Sequence, residues 1–99
     1  MTAQQFRSEL GALIERATLA GMAGDPSHAY SFLTDAARLI EQYPAFALTS
    51  SMQLQRTRSL LQMCMDMPGL SFDDVARAND LIHGIDALRL GADQLKPPV

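Results

Sequence analysis

The amino-acid sequence predicts an all-α fold: a compact four-helix bundle-like domain with short connections and its third helix central. Three observations carry this expectation. Apolar residues recur at steps of three and four through four segments, and no window alternates with a period of two. Each segment begins or ends on proline, glycine or a short polar side chain suited to a helix terminus. The breaks between segments are only a few residues long, which places successive helices side by side.

The segments follow in order, at about 3–21, 26–42, 45–67 and 72–94. Thr2 can cap the first helix, with Gln5 at the spacing of a capping box. Phe6, Leu10, Leu13, Ile14 and Ala17 form one apolar face, and Gly21 and Gly24 offer an end. Asp25-Pro26 starts the second helix, because proline's missing N–H sits where that donor would have no partner. Ala29, Phe32, Leu33, Ala36, Ile40 and Tyr43 share its inner face, with Asp35, Arg38 and Glu41 outside. Pro44 disfavours helical geometry at Tyr43 and ends that helix. The third helix opens at Pro44 or near the cap-forming Thr49-Ser50-Ser51 cluster; the residues leave both starts open. Pro68-Gly69 closes it, and Ser71 with Asp74 three residues on starts the last helix.

The third segment sets the functional question. From Gln42 to Met65 it holds no acidic residue, and its only charges are Arg56 and Arg58. At 100° per residue, Ala45, Met52, Leu60, Met63 and Met67 form one stripe. Ala47, Leu54, Leu61 and Met65 form another almost opposite. Two stripes need covering on two sides, by neighbouring helices or by another chain. Leu81, Ile85, Leu88, Ala92 and Leu95 form a heptad seam on the last helix, a second surface suited to packing along a helix.

Composition narrows the classes. The chain has 99 residues, the size of one domain, and a formal net charge of −3. An acidic chain with scattered cations is poorly suited to a phosphate backbone, so no nucleic-acid partner is expected. No apolar run approaches the length of a membrane span and no signal segment precedes the first helix, so a cytoplasmic protein without membrane contact is expected. Cys64, alone, fits a reducing compartment. Seven arginines against one lysine, with abundant alanine, have the look of a high-GC bacterial genome.

Candidate chemistry is thin. Met63, Cys64, Met65 and Met67 are soft donors, but one helix points them to different sides and cannot converge them on a metal. Neither His28 nor His83 has a Cys, Asp or Glu at the i, i+4 spacing of a helical metal pair. Cys64 lies near a helix C-terminus, whose partial negative charge disfavours a thiolate. No metal, cofactor or catalytic residue is therefore expected. Arg56 shares a side with Met52, Leu60 and Met63, and Asp86 or Glu15 could pair with it if it were buried. Leu10 through Ala20 resembles the first helix of the all-α chorismate mutases. That resemblance implies a small intertwined helical dimer with cations, one a lysine beyond the first helix, around a dicarboxylate. The only lysine here is Lys96, so no catalytic role is carried over.

The expected function is that of a small bacterial-type regulatory or adaptor protein, sequestering or occluding another protein by direct contact and forming a homodimer. Its partner-binding residues are expected to be Leu54, Arg56, Arg58, Leu61, Met63, Met65 and Met67, with methionines as adaptable anchors and arginines setting register. Leu81, Ile85 and Leu88 are the expected dimer seam. The alternatives are a small all-α enzyme of the dimeric helical type and a helix-turn-helix DNA-binding protein.

Overall fold

The computed structural model describes residues 1–94, with side-chain environments to Gly91. It is all-α: α1 (Ala3–Met22), α2 (Pro26–Gln42), the single turn α3 (Pro44–Ala47), α4 (Ser51–Asp66) and α5 (Phe72–Gln94). The helix ends follow the predicted cap chemistry. Gln5 N–H donates to Thr2 Oγ1 at 3.1 Å and Thr2 N–H donates to Gln5 Oε1 at 2.8 Å, a complete capping box. Asp25 Oδ1 accepts from His28 N–H at 3.1 Å, and Ser71 Oγ accepts from Asp74 N–H at 3.2 Å. Gly24, at φ +76, and Gly69, at φ +112, make the turns that follow α1 and α4.

The expected third helix is two pieces. Pro44 opens one turn, and Leu48 to Ser50 break the helix before it resumes at Ser51. Thr49 and Ser50 turn their hydroxyls back to the Phe46 carbonyl, at 2.9 and 3.1 Å, which offers the backbone an alternative to continuing the helix. The regular helix therefore begins where the cap-forming cluster ends. Around the turn, Tyr43 and Phe46 stack with centroids 5.9 Å apart, and both meet Phe6 of α1.

The long helices run up-down-up-down, and α4 packs against α1, α2 and α5. The contact with α1 is polar and close: Gln53 Nε2 donates to the Arg7 carbonyl at 2.9 Å. Further along, a Cβ on Gly21 would collide with Met63 Cε. Gly21 thus lies inside α1 and serves as a seat for Met63, while Gly24 takes the turn. The core runs through Phe6, Leu10 and Ile14 of α1, Leu33, Ala36 and Ile40 of α2, Leu54, Leu61 and Cys64 of α4, and Ala78, Ile82 and Ile85 of α5.

Of the two predicted stripes of the third segment, one holds the buried Leu54 and Leu61 with the half-buried Met65, and the other keeps Leu60 and Met63 half-buried against the core. The buried face of α4 is a single one, Leu54, Thr57, Leu61 and Cys64. Thr57 is fully buried despite its hydroxyl, because Oγ1 donates to the Gln53 carbonyl at 2.9 Å and the methyl faces the core. Met52, placed in the opposite stripe, is 79% exposed. It is α2 that buries the widest surface, with Ala29, Tyr30, Leu33, Ala36, Ala37, Leu39 and Ile40. α5 packs along α4 and hardly touches α2, which leaves the two walls of a groove apart.

Candidate functional site

The expected docking surface on the third segment is largely absorbed by the fold. Leu54 and Leu61 are 0% exposed core residues and present nothing to a partner. Met63 is spent against Gly21, and Met65 packs at the edge of the core. Arg58 Nε donates to Asp86 Oδ1 at 2.7 Å, tying α4 to α5. Asp86 was a candidate partner for Arg56; the register gives it to Arg58 instead, with Arg89 Nη1 also 3.8 Å from the same oxygen. Arg56, two residues earlier and so nearly opposite on α4, is exposed and makes no ion pair among the described residues. Met67, half-buried at the C-terminal cap, stands about three turns further along.

The predicted seam on the last helix fares differently. Ile85 is only 3% exposed and belongs to the core, so it cannot serve a second chain. Leu81 and Leu88 are half-buried and face across to α2. Ala92 has no described side-chain environment and Leu95 lies outside the described residues. α5 carries two adjacent apolar stripes: Ala78, Ile82 and Ile85 enter the core, while Leu81 and Leu88 flank it with Gly84 between them. The surplus apolar surface expected on the third helix lies here.

These side chains build an apolar groove of about 330 Å³ between α2 and α5. Ala37, Ile40 and Pro44 form one wall, and Leu81, Gly84, Ile85 and Leu88 the other. A Cβ on Gly84 would meet nothing within 4 Å, so the middle of the groove is open. Its polar groups are two carboxylates, Glu41 on the α2 side and Asp80 on the α5 side. Both are exposed, and neither makes an ion pair among the described residues. Among the described residues, no Lys, Arg or His lines the groove. The wall opposite α5 was not legible, because Ala37 lies outside the predicted inner face of the second helix and Pro44 reads as a helix boundary. Leu81 and Leu88 were legible from their heptad spacing.

The reactive groups lie elsewhere and are quiet. Cys64 is fully buried, and burial pushes its thiol above the ordinary range, away from a thiolate. Tyr30 is nearly buried; burial first, and then the Asp74 carboxylate, raise its pKa, with Arg77 acting against them. His28 Nδ1 contacts Asp25 Oδ2 at the start of α2. Hydrogen bonds from His28, backbone first, hold the Asp25 carboxyl below its usual value. Among the described residues, no three His, Cys, Asp or Glu side chains come together to hold a metal ion. No described helix is long and apolar enough to cross a membrane.

Comparisons of the chain with models of known families, with characterised proteins and with solved structures give no match.

Proposed function

We propose that this chain is a small binding protein that acts by protein–protein contact, occluding or sequestering its partner, with the α2–α5 groove as its contact surface. One observation carries the reading: an open apolar groove whose polar groups among the described residues are two acids at its edges, neither in an ion pair among those residues. Convergent donors or a nucleophile, which would point to chemistry on a small substrate, are missing from its lining. The test is a photo-crosslinking residue placed at Leu88 in the source cells, with the same residue at the remote, exposed Asp73 as control. Capture of a protein from Leu88 and not from Asp73 supports the reading. A small molecule retained in the groove, with no protein crosslinked there, overturns it.

Self-association is the second reading, favoured by the outward side of α4. There Met52 stands exposed beside Arg56 and the half-buried Leu60. A homodimer on that side would lose mass in sedimentation when Met52→Asp is introduced; unchanged mass would exclude that side.

A further inference from the structure

We propose that the occupant of the groove is an amphipathic helical segment bearing cationic side chains, supplied by a different protein; this rests on the binding reading above. Length is the first ground. Leu88 lies seven residues beyond Leu81 on α5, about 10 Å along the helix axis. That matches two turns of an incoming helix, whose apolar side chains recur at i, i+3 or i+4, and i+7. A volume of about 330 Å³ holds a few such side chains.

Charge is the second ground. Glu41 stands on one wall and Asp80 on the other, so a helix lying between them passes a carboxylate on each flank. Asp25, Asp35 and Asp86 each contact a cation or a histidine within 4 Å, whereas Glu41 and Asp80 make no such contact among the described residues. Lysine or arginine beside the apolar anchors would meet both acids at the rim, setting orientation and speeding encounter. A second copy docking groove to groove is opposed by the same charges. Two-fold symmetry would bring each acidic rim against its own image.

The test uses the full chain and a synthetic 14-residue helical peptide with leucines at positions 1, 4, 8 and 11 and lysines flanking them. Its partners are the same peptide with glutamate for lysine and one with the leucine order scrambled. The lysine peptide should bind at least about tenfold more tightly than either. Glu41→Lys/Asp80→Lys should weaken the lysine peptide and strengthen the glutamate peptide. Glu9→Lys/Glu15→Lys, an equal change of charge on α1, should leave both affinities in place. Equal loss in the two double variants would mean attraction to bulk charge and would overturn the proposal. So would a self-associating chain that binds no peptide, whose occupant is then a second copy. If crosslinking from Leu88 captures a protein while the lysine peptide shows no preference, the partner chemistry is wrong and the binding reading stands. If no protein is captured, the binding reading itself fails.

Discussion

At the scale of single residues, burial separates side chains that look equivalent in the chain. Leu54, Leu61 and Met52 all sit on α4 and all looked suited to contact, yet the two leucines are sealed and the methionine is open. Leu61→Ala should therefore cost about 2–5 kcal/mol of folding stability, the penalty for a buried cavity, while Met52→Ala should change it by less than about 0.5 kcal/mol. Urea denaturation measures both. Similar costs would mean that Met52 is covered in solution. Thr57 is polar, yet its satisfied hydroxyl lets it be fully buried. Arg56 and Arg58 were indistinguishable by composition. Which of them reaches Asp86 depends on the angular register of α4 against α5, which helical periodicity within one segment does not specify.

At the scale of elements, α5 is the least secured of the long helices. α1 and α2 pack heavily on each other and each also meets α4, whereas α5 relies on α4. The groove is the consequence, since an α5 seated on α2 as well would fill it. Local opening follows the density of buried contacts, so backbone amides in α5 should exchange with solvent faster than those of α1 and α2. Arg58→Ala should widen the gap. The Arg58–Asp86 pair is roughly two-fifths exposed, so its loss should cost less than about 1 kcal/mol. Hydrogen exchange read by mass spectrometry checks this. Uniform exchange across the four long helices would show that α5 opens only with the whole molecule. Helix starts were legible where one residue decides them, as Asp25-Pro26 and Ser71 do. The break after Ala47 was less legible, because both proline and the threonine-serine cluster can begin a helix.

At the scale of the molecule, a few groups should shape stability against pH. The Asp25 carboxyl is depressed in the folded state. It therefore contributes above its unfolded value of about 3.9, and the contribution is lost as pH falls through the lower folded value. Cys64 and Tyr30 are raised. Their contributions are full below the unfolded values of about 8.5 and 10, and decline as pH rises from there towards the folded ones. Thermal melting across pH should show a plateau between about 5 and 8 with a fall on each side. Asp25→Asn should flatten the acid fall, and Cys64→Ala should soften the alkaline one near pH 9, whatever its cost at neutrality. Unaltered limbs in both variants would show that other groups govern them.

The sequence by itself determined the helical class, the caps and the approximate extent of each long helix. These depend on contacts within a turn or two: a hydroxyl on an N–H three residues away, a proline lacking a donor, an apolar step of three or four. It also marked Leu81 and Leu88 as apolar positions, and they line one wall of the groove. Only the tertiary structure decided that Leu54 and Leu61 face inward, that Arg58 takes Asp86, that Gly21 seats Met63, and that Ala37, Ile40 and Pro44 supply the opposite wall. Each depends on the rotation and spacing of one helix against another far along the chain. Those are set by how the whole set of side chains packs, and no short stretch of residues contains them.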